Sequence, residues 1–208
     1  MEILDVLSLA VLAFVGFRLA DAARHTIKDR GYVWLMVAGL RPRHFVLAVP
    51  VLAIVLCVAL ALFQIPGLSF GWWTAIGGEG NPAFGAAPEG SAGPLESVIP
   101  VAFGAMLILA LPLLVEGEEL LFRRGAETRT PAANLRRAFL FGLVHALVGI
   151  PIGAALALTI SGWYFTAWYL REWHATGSRA AALIASTRAH LAYNLVVVGI
   201  VVLSLTLA

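Results

Sequence analysis

The chain has 208 residues, of which 61% are hydrophobic and only 12% are charged, and its formal net charge is +2. Water-soluble globular proteins contain about 45–50% apolar and about 25% charged residues, so this composition excludes an ordinary soluble domain. It also excludes a disordered chain, because disordered segments are poor in the aliphatic residues that dominate here. The sequence therefore predicts a polytopic, all-α membrane protein.

Six hydrophobic segments follow one another along the chain, and each is predicted to be a membrane-spanning helix, which needs about 20 mostly apolar residues. They are Ile3–Ala20, Phe45–Phe63, Val98–Val115, Ala138–Ile150, Ile152–Leu170 and Ala181–Leu207. Thr130 and Pro131 predict that the fourth helix begins near Pro131, as an N-cap and a first-turn proline. The segment Gly149–Pro151 predicts a tight turn, because a single helix over 138–170 would be about 50 Å long.

The segments between the hydrophobic spans differ in charge. The stretch Ala22–His44 is basic, and Tyr32–Leu40 within it is predicted to form a short amphipathic helix at the membrane surface. Gln64–Ser97 is rich in Gly, Pro and Ala and has no basic residue. We expect it to be an external loop, with Trp72 and Trp73 at the lipid headgroups.

Basic residues lie only in alternate loops or at the ends of the adjoining spans, and this pattern sets the expected orientation. By the positive-inside rule it predicts six helices with both termini outside the cytoplasm. We divide the chain into an N-terminal region of two spans, residues 1–97, and a C-terminal core of four helices, residues 98–208. Lys28 is the single lysine among 14 basic residues. This arginine preference is typical of a GC-rich bacterial genome, and we therefore expect a bacterial inner-membrane protein.

Three polar motifs lie at the cytoplasmic end of the third span, in the fourth span and at the start of the sixth. Ionisable side chains within a membrane are costly and usually mark function. The motifs are Glu118-Glu119 followed by Arg123, Phe141 followed by His145, and His190 followed by Asn194. All three are predicted to converge in the cytoplasmic half of the membrane.

Helical geometry distinguishes the two adjacent carboxylates. Glu119 and Arg123 are four residues apart, so they share a helix face and can form an ion pair. Glu118 points about 100° away from Glu119 and stays free to face a cavity. His190 and Asn194, again four apart, present an imidazole and an amide to one point.

These residue types suit hydrolysis of a peptide bond by activated water. A carboxylate can deprotonate water, directly or with a bound metal. An imidazole and an amide can donate hydrogen bonds to the oxyanion that forms. No serine or cysteine is placed as a nucleophile, and Cys57, in an apolar run, is expected to be a small buried residue.

In this order, and each on a hydrophobic helix, the three motifs resemble those of the CPBP family. That family contains the CAAX prenyl proteases and the bacteriocin-processing or self-immunity membrane proteins also called Abi proteins. The resemblance implies an intramembrane endopeptidase with a helical core that opens to the cytoplasm. It implies that Glu118 activates water together with His145, and that His190 and Asn194 stabilise the oxyanion.

The resemblance also implies supporting groups and leaves the cofactor open. Glu119 and Arg123 would hold the site in shape. The family has been described both as glutamate-dependent and as metal-dependent. Glu118, His145 and His190 are accordingly the candidate ligands of zinc or another divalent metal, which would leave an open position for water.

The expected partners are a membrane-associated peptide or protein substrate and the lipid bilayer, with no nucleic acid. Recognition of a prenyl group is not carried over from the family. A second interpretation is a non-catalytic immunity or scaffold protein that binds a membrane partner. A third is a proton or cation carrier, because buried Glu and His also form proton relays. The clustering of the carboxylates at one membrane face disfavours the carrier.

Overall fold

The computed structural model describes residues 3–71 and 94–207, and these two ranges form an all-α fold without a strand. The all-α prediction is therefore confirmed for them. The helices in chain order are α1 (Ile3–Lys28), α2 (Arg30–Ala38), α3 (Pro42–Leu62), α4 (Pro94–Phe122), α5 (Pro131–Val144), α6 (Ile152–Thr176) and α7 (Arg179–Leu207). Short 3-10 helices follow α4 at Ala126–Thr128 and α5 at His145–Val148. Trp72 and Trp73, predicted at the headgroups, lie outside the described residues.

The start of α5 and the turn after it were predicted from the sequence and are confirmed. The Thr130 hydroxyl accepts a hydrogen bond from the Ala133 backbone N–H at 3.2 Å, and Pro131 occupies the first turn. Gly149 adopts a left-handed φ of 96°, a conformation that favours glycine, and α6 begins at Ile152.

The predicted length of α5 is wrong. Its α-helical part ends at Val144 and tightens into a 3-10 turn at His145–Val148, instead of continuing to Ile150. The left-handed Gly149 ends the helix, and 3-10 bonding in the last turn satisfies carbonyls that the α-helix leaves unpaired. With 14 residues, the α-helical part is about 21 Å long.

Helices α6 and α7 occupy the centre of the fold. Helix α6 packs against α3, α5 and α7, while α7 also contacts α3 and α4. Helix α1 packs mainly on α4, and the short α2 touches α1, α4 and α7. The principal core cluster brings together residues of α3, α4, α5, α6 and α7, among them Ala48, Phe122, Phe141, Phe165 and Tyr193.

Two helices in the described ranges are long and apolar enough to cross a membrane, judged by length and composition. They are α3, Pro42–Leu62, and the Arg179–Val201 part of α7. Core helices of soluble proteins can pass the same test. The six-span arrangement and its orientation therefore stay predictions.

The expected burial of Cys57 is wrong, because its side chain is exposed. The buried stripe of α3 consists of Ala48, Leu52, Val55 and Ala59, spaced three or four residues apart. Cys57 lies two residues from Val55, about 200° around the helix, and so points away from that stripe.

Candidate functional site

The Glu119 carboxylate is fully buried near the end of α4 and has three polar partners. Its Oε1 lies 3.3 Å from Arg123 Nη1 and 2.8 Å from His190 Nδ1. Its Oε2 accepts a hydrogen bond from the Ser186 hydroxyl at 2.6 Å. The predicted Glu119–Arg123 ion pair is therefore present, and both oxygens of this carboxylate are engaged by protein groups.

The Arg123 guanidinium is as buried as its partner, with 1% of its surface exposed. Its Nη2 donates to the Gly162 carbonyl of α6 at 3.2 Å. The guanidinium carbon lies 4.1 Å from the centre of the Phe141 ring of α5, within the range of a cation–π contact. Arg123 thus joins α4 to α5 and α6.

Glu118, in contrast, keeps 38% of its side chain exposed. Its Oε2 lies 3.7 Å from Nε2 of His190. The neighbouring carboxylates therefore face different environments, as the rotation of about 100° per helical residue predicts. Glu118 has room for a water molecule or a substrate group, whereas Glu119 does not.

The His190 ring is held between the two carboxylates. Because a carboxylate only accepts hydrogen bonds, the 2.8 Å contact assigns a proton to Nδ1 and leaves Nε2 directed at Glu118. Phe165 of α6 stacks on the ring, with centroids 4.1 Å apart and planes 16° from parallel. This packing fixes the orientation of the imidazole.

His145 lies beside this group without touching the carboxylates in the described structure. Its Nδ1 is 2.7 Å from the Phe141 carbonyl, and its ring meets the edge of the Phe141 ring at 4.9 Å. Phe141 also contacts His190, with ring centroids 5.5 Å apart. The two histidines thus share one aromatic neighbour, which places the second motif next to the first and third.

Asn194 lies one turn beyond His190 on α7 and is partly exposed. Within the described residues, its side chain makes no hydrogen bond to the carboxylates or to His190. The structure therefore brings together Glu118, Glu119 and Arg123 with His190, while Asn194 stays adjacent to the group.

Sequence reasoning missed two residues of this site, Ser186 and Phe165. Ser186 is four residues before His190, so the spacing that linked Glu119 to Arg123 would also have placed it on the face of His190. Phe165 carries no local signal, because its role depends on how α6 packs against α7.

The donor chemistry of the predicted metal ligands suits a metal. Histidine ligands usually donate their second ring nitrogen to a carboxylate or a carbonyl, which orients the ring. Nδ1 of His190 is engaged by Glu119 and Nδ1 of His145 by a backbone carbonyl, so each ring keeps Nε2 for another partner. Among the residues with described side chains, no three His, Cys, Asp or Glu groups are arranged to hold an ion. The metal stays a prediction.

Comparison with protein-family models, with curated proteins and with solved structures gives no match for this chain.

Proposed function

We propose that this protein is an intramembrane endopeptidase of the CPBP type, which hydrolyses a peptide bond of a membrane-associated protein or peptide. The observation that carries the proposal is the half-exposed Glu118 carboxylate beside His190, set on a buried Glu119–Arg123 pair. A partly exposed carboxylate that keeps room for water, next to an imidazole of fixed orientation, is the arrangement that general-base catalysis requires.

The proposed reaction begins when Glu118 takes a proton from water and the hydroxide attacks the carbonyl carbon of the scissile bond. His190 offers Nε2 to the developing oxyanion, because Nδ1 is engaged by Glu119. In its protonated form the ring donates that hydrogen bond, and the Asn194 amide would supply a second donor. The carbon–nitrogen bond then breaks, and the proton held by Glu118 passes to the leaving amine.

His145 is proposed to assist Glu118 in orienting the water. Its Nε2 is the ring nitrogen left available, since Nδ1 contacts the Phe141 carbonyl. Zinc or another divalent metal, if held by Glu118, His145 and His190, would act as a Lewis acid and lower the pKa of its bound water.

We also propose a multi-pass location in a bacterial inner membrane, with both termini outside and the site open to the cytoplasm. Supporting it, α3 exposes large apolar side chains along its length. They are Val46, Leu47, Val49, Ile54, Leu56 and Leu60. Apolar surface on this scale is rare in soluble monomers and is typical of surfaces that contact lipid or protein.

The proposal is tested by following cleavage of a fluorogenic library of membrane peptides by the purified protein in lipid nanodiscs. Wild type is compared with His145→Ala and with His174→Ala, which removes an exposed imidazole at the end of α6. We expect cleavage to fall about 100-fold or more in His145→Ala and to be unchanged in His174→Ala.

A chelator arm separates the two proposed mechanisms. Loss of cleavage on chelation, restored by added zinc, supports the metal-dependent form. Chelator-resistant cleavage supports direct activation of water by Glu118. Absence of cleavage of every peptide in the library contradicts the proposal.

A non-catalytic scaffold or immunity protein is the second candidate, and one observation favours it. The network of Glu119 with Arg123, Ser186 and His190 is completely buried and joins α4 to α7, so it serves architecture whether or not Glu118 is catalytic. This alternative predicts that a knockout phenotype is complemented by Glu118→Gln but not by Glu119→Ala.

A further inference from the structure

A cavity of about 600 Å³ lies next to the candidate site, outside the residues assigned to it above. The cavity is open on one side and is lined by the end of α4, the 3-10 turn after it, the end of α6 and the start of α7. Leu120 and Leu183 contribute apolar lining, while Arg124, Arg179, Thr128 and Tyr169 contribute polar groups. A volume of this size is typical of small-molecule sites.

The charge of this cavity is unbalanced. Arg179 forms an ion pair with Glu127, Nε to Oε1 at 2.5 Å, and Glu127 also accepts a hydrogen bond from the Tyr169 hydroxyl at 2.9 Å. Arg124 is exposed, and within the described residues no carboxylate lies within 4 Å of its guanidinium. Two guanidinium groups therefore line the cavity, while the carboxylate paired with one of them, Glu127, is not among its lining residues.

This combination of groups suits a ligand in which a phosphate is attached to an apolar group. Guanidinium groups bind phosphate oxygens through paired, charge-assisted hydrogen bonds. Basic pockets between helices at the cytoplasmic face of membrane proteins bind anionic headgroups. The leucines beside the arginines would contact the glycerol and first methylenes of a lipid, which a free phosphate lacks.

We propose that this cavity binds the phosphate of an anionic phospholipid headgroup, with Arg124 as its principal ligand and Arg179 as the second. The bound headgroup would bridge the end of α4 to the start of α7. These two helices carry Glu119 and its partners Ser186 and His190. The assignment of the phosphate to a lipid rests on the proposed membrane location. Nothing in this inference rests on peptidase chemistry.

The test is a thermal-unfolding titration of the purified full chain in neutral detergent. Dioctanoyl phosphatidylglycerol, dioctanoyl phosphatidylcholine and inorganic phosphate are added separately. Wild type is compared with Arg124→Gln, with Arg124→Lys and with the control Arg136→Gln. Arg136 is an exposed residue of α5 that does not line the cavity.

Phosphatidylglycerol is expected to raise the Tm of wild type and Arg136→Gln at the same concentration, while phosphatidylcholine does not. Arg124→Gln should need at least about tenfold more lipid for the same rise, as expected when one charge-assisted hydrogen bond is lost. Arg124→Lys, which keeps the charge and loses the paired geometry, should lie between them. Without lipid, all three variants should unfold within a few degrees of wild type, which shows that they are folded.

The two phosphate sources give different results. A rise in Tm that depends on Arg124 with phosphatidylglycerol, but not with inorganic phosphate, supports the lipid assignment. An equal rise with inorganic phosphate keeps the phosphate site but overturns its assignment to lipid. If Arg124→Gln responds like wild type to both, the site itself is overturned. Because no cleavage is measured, each outcome is separate from the fate of the proposed function.

Discussion

Glu118 and Glu119 are neighbours in the chain, yet their side chains meet opposite surroundings. Glu119 is fully buried and bonded through both oxygens, whereas more than a third of the Glu118 side chain is exposed. Removing one partner of a buried ion pair leaves an unpaired charge in the interior and typically costs about 3–5 kcal/mol. A change at the half-exposed Glu118 carries no such penalty. The pair therefore separates a structural carboxylate from one that is available for chemistry.

The bond from Ser186 to Glu119 can be tested by stability alone. Ser186→Ala leaves Glu119 Oε2 without its hydrogen bond, so we expect the free energy of unfolding to fall by about 1–3 kcal/mol. Unfolding is measured by titration with a denaturing detergent from mixed micelles.

The matched control for Ser186→Ala is Ser161→Ala. Ser161 is equally buried, but its hydroxyl donates to the Leu158 carbonyl within its own helix, and its other polar neighbour is the uncharged Tyr193 hydroxyl. Because no carboxylate depends on that hydroxyl, the control should lose less than about 1 kcal/mol. Equal losses in the two variants would mean that the contact of Ser186 with Glu119 is not a stabilising one.

For individual residues, the sequence predicted those contacts and orientations that depend on the geometry of a single helix. The Glu119–Arg123 pair and the separate orientation of Glu118 follow from residue spacing along α4. The stacking of Phe165 on His190 could not be predicted in this way, because it needs the relative position of α6 and α7. The convergence of the motifs was inferred from their shared membrane depth, which does not place Asn194 in contact with Glu118.

Among the helices, α5 and α6 approach so closely that glycine is required where they cross. A Cβ on Gly162 would lie 2.9 Å from the Ala138 carbonyl and 3.0 Å from the Phe141 ring. A Cβ on Gly142 would lie 2.3 Å from the Ala155 carbonyl. Since Phe141 covers Arg123 and contacts both histidines, this crossing sets the position of the second motif relative to the others.

Gly162→Ala is expected to push α5 away from α6 and to destabilise the protein by about 1–3 kcal/mol, the usual cost of overpacking. The control is Gly199→Ala on α7, where nothing lies within 4 Å of the new Cβ. Adding a methyl group in that open helical position should leave stability unchanged or raise it by up to about 1 kcal/mol. Unfolding titrations of both variants check the contrast. A Gly162→Ala protein as stable as wild type would show that the helices do not need this close approach.

The position of helix α2 was predicted from local sequence, but its contacts with distant parts of the chain were not. Its amphipathic character predicted a short helix over Tyr32–Leu40, and the structure has one at Arg30–Ala38. Its attachment was not predictable, because Arg188 Nη2 donates to the Leu35 carbonyl from 153 residues away, at 2.9 Å. At the other end of α2, the Tyr32 hydroxyl donates to the Glu116 carboxylate.

The Tyr32 hydroxyl has a pKa well above the physiological range. Burial, the hydrogen bond to Glu116 and the charge of that carboxylate raise the pKa of Tyr32 to about 12. The phenol therefore remains protonated and remains a donor. Together with Arg188, it holds α2 against α4 and α7.

For the molecule as a whole, composition predicted the all-helical class, and hydropathy predicted spans that overlap every long helix of the described ranges. Element ends were less predictable, since α5 changes to a 3-10 turn at His145. That change depends on the adjoining left-handed glycine and on packing. The periodicity of the apolar residues gives no warning of it.

Cys57 offers a direct test of the proposed membrane location, because it is the single cysteine of the chain and its side chain is exposed on the outer face of α3. If α3 crosses a membrane, lipid should protect this thiol from a bulky water-soluble maleimide. In proteoliposomes we expect no labelling until a denaturing detergent is added, measured as a gel shift.

The control for this experiment is the double variant Cys57→Ala/His174→Cys, which places a thiol at an exposed position near the end of α6. It should be labelled in permeabilised vesicles without denaturation. Rapid and complete labelling of wild-type Cys57 in intact proteoliposomes would contradict the membrane location of α3.

The division of roles between the two carboxylates is tested by comparing Glu118→Gln with Glu119→Gln, with peptide cleavage and thermal unfolding measured on the same nanodisc samples. We expect Glu118→Gln to unfold like wild type but to cleave about 100- to 10,000-fold more slowly, because the general base is lost. Glu119→Gln should unfold at a clearly lower temperature, since Arg123 is left buried without its counter-charge. Wild-type rates of cleavage by a folded Glu118→Gln protein would contradict the role of Glu118 as general base.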